Sequence, residues 1–163
     1  MNKMLIIEDD EDKLETLISF IRTEFPVFNV DTARSFSSGL RKLILGTKVY
    51  TGVLLDMSMP NYDSSSTEPG GGKPEYFAGS DLLAQMKLRK IHIPTIVVTM
   101  FDMHGEEPNR MSLEQLKNQL TQMYNPIFRD LTYYSLSESG WRKSLKSQIE
   151  KEFLKHDLYS YCR

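Results

Sequence analysis

The 163-residue sequence holds a single cysteine, Cys162, next to its last residue. A lone cysteine forms no internal disulfide, so nothing points to an oxidising compartment or a disulfide-stapled scaffold. A dominant charge is also missing: 20 Lys and Arg stand against 22 Asp and Glu, a formal net charge of −2. That balance builds in no pull toward nucleic acid or an anionic membrane. The densest basic stretch (Lys87, Arg89, Lys90) is short and reads as a solvated helix face. No apolar run approaches the roughly 18 residues that a membrane span needs. The first such run, Met4–Ile7, ends in acids and not in small residues, which excludes a secretory leader. A cytoplasmic protein with neither membrane nor nucleic-acid partner is expected. Metal-site spacing is absent among His92, His104 and His156, which are expected at the surface. Gly70-Gly71-Gly72-Lys73-Pro74 has no Ser or Thr after its lysine and follows no strand, so it reads as linker and not as a phosphate loop.

What is present is the composition of an ordinary globular chain, 40% hydrophobic and 26% charged. Its length suits one domain over 1–163. Met4-Leu5-Ile6-Ile7 reads as a strand buried on both faces. Leu14, Leu17, Ile18, Ile21 and Phe25 recur at helical spacing, predicting a helix from about Asp12 to Glu24, capped by Asp10 and stopped by Pro26. Val27–Asp31 is a second strand. Ser37-Ser38-Gly39 opens a helix that Gly46 ends. Gly52–Asp56 is a third strand, and Ser80 is expected to cap a helix carrying Leu82, Leu83, Met86 and Leu88. Pro94–Thr99 is a fourth strand. Ser112 and Gln115 fit a capping box for the next helix, with Leu113, Leu116, Leu120 and Met123. Leu131–Ser135 is a fifth strand. Trp141, Leu145, Ile149 and Phe153 mark a final helix whose aromatic residues face the core. Between these, 61–78 holds serines, glycines and prolines and reads as a mobile insertion.

Strands alternating with helices imply α/β architecture, a doubly wound parallel sheet with helices on both faces. Ligands of such sheets bind outside the C-terminal strand ends, where strand order reverses. If the first and third strands are neighbours, Glu8, Asp9 and Asp56 meet there. Carboxylates so close raise one another's pKa unless a cation neutralises them, and a hard divalent ion such as Mg²⁺ suits oxygen ligands. Thr99, closing the fourth strand, belongs to the same edge.

Ile6-Ile7-Glu8-Asp9-Asp10, followed by Leu54-Leu55-Asp56-Met57-Ser58-Met59-Pro60, resembles the receiver domain of two-component response regulators. Ile96-Val97-Val98-Thr99 is similar to that family's fourth strand, and Gly79 to the glycine before its third helix. The resemblance spans about residues 3 to 155 and implies a five-stranded parallel sheet of flavodoxin-like order 2-1-3-4-5. It also implies roles. Asp56 accepts a phosphoryl group from a sensor histidine kinase or phosphotransfer protein. Asp9 binds Mg²⁺ directly, Glu8 through water, and Asp56 and the backbone carbonyl of Ser58 complete the protein's ligands. Thr99 contacts the phosphoryl group and acts as a switch. Because this fold is used up by about residue 155, a stand-alone receiver is expected. It would signal through a downstream protein contact, with homodimerisation left open and no enzymatic activity of its own.

The sequence also departs from the family's pattern. The family carries a lysine, followed by proline, at the end of its fifth strand. Here Ser135 or Leu136 falls at that position, and the one Lys-Pro pair, Lys73-Pro74, lies in the insertion. The site is therefore expected to lack its cation, which supports an alternative: a phosphorylation-independent pseudo-receiver acting as a protein interaction module. Met100 stands where the family prefers a small residue, and Phe101–Met111 is a further expansion. Tyr133 or Tyr134 falls near the family's aromatic switch, or in the core. An aspartate-nucleophile phosphatase is disfavoured, because Ser58 stands where its acid–base aspartate belongs. A Rossmann-type nucleotide site is disfavoured because the first turn is acidic and holds no glycine.

Overall fold

The computed structural model describes residues 2–64, 75–100, 103–104 and 110–154. Five strands form the main sheet: β1 (Asn2–Ile7), β2 (Phe28–Ala33), β3 (Tyr50–Leu55), β4 (Thr95–Thr99) and β7 (Phe128–Tyr133). Their order is β2-β1-β3-β4-β7, all neighbours parallel, so β7 takes the fifth place of the expected 2-1-3-4-5 order. A two-stranded antiparallel hairpin of β5 (Met103–His104) and β6 (Met111–Ser112) stands apart from it. That pair spans most of the Phe101–Met111 expansion, ending at Ser112, and was not foreseen.

Alternation along the strands supplies two apolar faces. Leu5, Ile7, Val53, Leu55 and Val97 pack with α2 (Phe36–Leu45), α3 (Ala78–Leu88) and α4 (Leu113–Tyr124). Met4, Ile6, Leu54, Ile96 and Val98 pack with α1 (Glu11–Glu24) and α5 (Gly140–Glu152). Trp141 and Phe153 are buried on this second face. Fully burying one such side chain stabilises the fold by about 1.5–3 kcal/mol before conformational entropy is counted.

Helix starts follow local chemistry. Asp10 accepts a hydrogen bond from the Lys13 amide, satisfying a donor at the start of α1. Ser112 and Gln115 form the expected capping box of α4. Ser35, with Ser38 at its third position, caps α2 one residue ahead of its first helical residue Phe36, so that helix begins earlier than the Ser37-Ser38-Gly39 signal. Ser80 does not cap α3: the helix starts at Ala78, and Ser80 sits inside its first turn. Leu88, expected on the apolar stripe, is 74% exposed at the end of α3. The last sheet strand starts at Phe128, three residues before the expected Leu131, and ends at Tyr133.

The two described ends of the insertion lie together. Met59 and Glu75 form an antiparallel bridge, with the Glu75 amide donating to the Met59 carbonyl at 3.0 Å. Its first residues are tied to α2, where the Ser38 hydroxyl donates to Asp63 Oδ1 at 2.9 Å. Residues 65–74, with Lys73, lie outside the described residues, as do His156, Cys162 and the side chain of His104. His92 is exposed, as expected.

Candidate functional site

Register brings the acidic residues together. Ile7 stands opposite Leu55, and the Asp56 amide donates to the Ile7 carbonyl at 3.0 Å. Glu8 and Asp56, the next residues on each strand, therefore emerge side by side. The turn after Asp56 is held by α3: the Gly79 amide donates to the Met57 carbonyl at 2.9 Å. A Cβ at Gly79 would stand 2.4 Å from the Asp56 carbonyl oxygen and 2.9 Å from Met57 Cα, so only glycine permits this approach.

Glu8, Asp9 and Asp56 each offer an oxygen, and the three lie within 4.8 Å of one another. They line a cavity of about 420 Å³ with Asp10, Ser58, Tyr76 and Met100. Glu8 and Asp56 are buried, at 1% and 5% exposure. Asp56 Oδ1 accepts from the Met57 amide at 2.8 Å, which fixes the rotation of the carboxylate. Glu8 Oε1 accepts from the Asp10 amide at 3.0 Å. Thr99 is fully buried at the C-terminal end of β4 and is not among the residues lining the cavity. Its neighbour Met100 does line it.

The expectation that the site lacks a cation is overturned. Lys13, on the first turn of α1, is buried to 1% exposure. Its Nζ pairs with Glu8 Oε2 at 2.5 Å and Asp56 Oδ1 at 3.3 Å, and donates to the Val98 carbonyl at 2.7 Å. It also stands 5.7 Å from the ring centroid of Tyr134. The end of β7 supplies no cation, since Ser135 and Leu136 both lie outside the cluster and Leu136 is 80% exposed. Of the two candidate tyrosines, Tyr134 is buried against Trp141, with ring centroids 4.8 Å apart, and Tyr133 is exposed.

Electrostatics follow from this crowding. Burial, reinforced by the charge of Asp56, pushes the Glu8 carboxyl up to about 8 against the opposing pull of Lys13. Burial and then Asp56 also raise Asp9. For Lys13 burial disfavours the charge, but Asp56 and Glu8 outweigh it and hold the ammonium above its ordinary range. Three carboxylates and one ammonium leave the ionised cluster two negative charges in excess, which a divalent cation cancels. Mg²⁺ holds oxygens at about 2.0–2.1 Å, so its ligands stand about 3–4 Å apart. The three acidic groups fit such an ion with modest side-chain adjustment. Sequence reasoning missed Lys13 and Tyr76. Lys13 had a signal: it shares the buried stripe of α1 with Leu17 and Phe20, at helical spacing.

A doubly wound parallel sheet with an acidic pocket at the β1 and β3 ends defines a receiver-type α/β protein. The chain is 30% identical over 147 residues to the Detocs response regulatory protein DtcB of Enterobacter cloacae, spanning 90% of this chain and 97% of the relative. It is 31% identical over 147 residues to the uncharacterized protein y4jR of Sinorhizobium fredii, spanning 89% and 95%. The chain belongs to the response-regulator receiver family. Solved structures agree on the fold. A receiver domain from Clostridium thermocellum matches with a TM-score of 0.63 at 18% identity over 98% of this chain and 99% of that one. The receiver domain of a putative LuxO repressor from Vibrio parahaemolyticus matches with a TM-score of 0.65 at 12% identity, over 99% and 97%. The Thermotoga maritima response regulator TrrA, solved in complex with Mg²⁺-BeF, matches with a TM-score of 0.58 at 16% identity over 91% and 99%. No family-wide sequence model matches the chain. No described helix is long and apolar enough to cross a membrane.

Proposed function

We propose that this receiver accepts a phosphoryl group on Asp56 from the phosphohistidine of a sensor histidine kinase or phosphotransfer protein in the cytoplasm, with Mg²⁺ as cofactor. It then passes the signal on through contact with a downstream protein. The observation that carries this reading is the convergence of Glu8, Asp9 and Asp56 on one small cavity at the strand ends.

In the transfer, an Asp56 carboxylate oxygen forms a bond to phosphorus as the phosphorus–nitrogen bond of the donor breaks. The electron pair leaves with the imidazole, and the product on Asp56 is an acyl phosphate. Such transfer depends mainly on in-line positioning and on neutralising the phosphoryl oxygens. Bound Mg²⁺ supplies that neutralisation. Asp9 and Asp56 would hold the ion, with Glu8 acting through water and the Ser58 carbonyl completing the set. The Met57 amide keeps Asp56 in one rotation for attack. The Thr99 hydroxyl, at the end of β4 next to Met100, would donate to a phosphoryl oxygen and move with it. Tyr76 and Met100 flank the cavity and narrow the approach of donor and water.

Incubation with a small phosphodonor and Mg²⁺, followed by intact-mass spectrometry, tests the reading. Wild type should gain one phosphoryl group and Asp56→Asn none. A wild-type chain that stays unmodified by both small donors and kinases contradicts it.

A further inference from the structure

The family likeness leads one to look for a lysine at the end of the last sheet strand, and none is there. The structure instead carries a cation into the same cluster from another element. We propose that Lys13 of α1 is the residue that neutralises the phosphoryl oxygens on Asp56, replacing the missing strand-end lysine. This rests on the reading of Asp56 as phospho-acceptor.

Three observations carry it. First, Lys13 Nζ is already 3.3 Å from Asp56 Oδ1, so it reaches the oxygens of a phosphoryl group on that carboxylate by a small side-chain rotation. Second, its placement is built and not incidental. The amide of the same residue is fixed by Asp10, and the ammonium is held by Glu8 Oε2 and the Val98 carbonyl. Burying an ammonium is costly unless its hydrogen bonds are made, and here three oxygens surround it. Third, among the described residues no other ammonium or guanidinium pairs with Glu8 or Asp56.

The relocation changes where phosphorylation is felt. A lysine at the end of β7 would pull on that strand and the loop after it. Lys13 instead links α1 to the Val98 carbonyl of β4, and its ammonium faces the Tyr134 ring, which packs on Trp141. Drawing Nζ toward a phosphoryl group loosens its hold on Val98 and Glu8 and shifts the environment of Tyr134 and Trp141. Trp141 is the one tryptophan in the chain, so its fluorescence reports the event.

The test compares wild type, Lys13→Met and Lys13→Arg, each titrated with Mg²⁺ alone and then with beryllofluoride in saturating Mg²⁺. Phosphoryl uptake from a small donor is followed by intact mass. Lys13→Met should keep Mg²⁺ binding, because its departure removes a competing cation. It should lose at least about tenfold in beryllofluoride affinity and about 100-fold in uptake rate, as when a single charge-stabilising donor is removed from a reacting site. Lys13→Arg, which keeps the charge, should recover part of both. Since Lys13→Met leaves Glu8 buried without its partner, Glu8→Gln with Lys13→Met is compared with Glu8→Gln alone if the single variant does not fold. Either Lys13→Met form matching its reference in beryllofluoride affinity and uptake rate overturns the role of Lys13. A wild-type chain that takes up no phosphoryl group overturns the phospho-acceptor reading itself.

Discussion

The two faces of the sheet are built on different terms. The face under α2, α3 and α4 is closed by aliphatic and methionine side chains such as Leu43, Leu82, Leu83, Met86 and Leu120. The face under α1 and α5 has a comparable apolar cluster, but Lys13 is set into it beside Leu14 and Leu17. Its ammonium reaches the buried carboxylates at the strand ends. The first face contributes stability. The second gives some up, because a buried ion pair seldom stabilises more than apolar side chains of the same volume. The difference locates chemistry: a charged group retained inside a core is better explained by the site it serves than by the fold.

The sharpest way to break this comparison is an equal insult to each face. Leu82→Ala, on the aliphatic face, should cost about 2–5 kcal/mol, read from the midpoint of urea unfolding. A cost under 1 kcal/mol would mean that this face is not close-packed. Lys13→Met should cost up to about 3 kcal/mol at pH 9, where Glu8, ionised and paired in the wild type, must either stay charged without its partner or take up a proton. At pH 6 the loss should shrink, because burial and Asp56 already hold the Glu8 carboxyl protonated there and removing Lys13 strands no Glu8 carboxylate. Equal losses at both pH values would contradict that account. Removing a cap far from the site by Ser112→Ala should cost about 1 kcal/mol at either pH. The smallest effect is expected for Glu8→Gln with Lys13→Met, which removes the close Glu8–Lys13 pair and leaves only Asp56 without its cation, and so should cost less than Lys13→Met alone at pH 9. A large destabilisation in that double variant would show that the ion pair holds the fold together.

Much of this was legible from sequence, because the signals were local. Acids closing the buried runs at Ile7 and Leu55 marked the pocket, and the alternation of apolar runs with helical stripes implied a parallel sheet with helices on both faces, while the strand order came from the family resemblance. Asp10 and the Ser112/Gln115 pair declared their caps by side-chain chemistry. What escaped was non-local. Lys13 looked like an ordinary residue of an acidic first turn, and only the packing of α1 over β4 shows where its ammonium ends. Ser80 resembles a cap, yet α3 begins two residues earlier, because close contact between Gly79 and the Asp56 turn sets its start. The β5–β6 hairpin has strands of two residues each, too short to leave a periodic pattern.

The raised Glu8 pKa also fixes a sign. A carboxyl that holds its proton more tightly when folded stabilises fully below its ordinary 4.5, and that contribution fades as pH rises through about 8. The metal-free domain should therefore lose stability from this group as pH rises across that window. Mg²⁺, competing with the proton, should restore more at pH 8 than at pH 6. The most direct measurement is a Mg²⁺ titration at these two pH values, followed through Trp141 fluorescence. One saturable site is predicted, tighter at pH 8 and lost in Asp9→Asn with Asp56→Asn. A titration without saturation, or one unchanged by removing those two carboxylates, would contradict a cation site built by Glu8, Asp9 and Asp56.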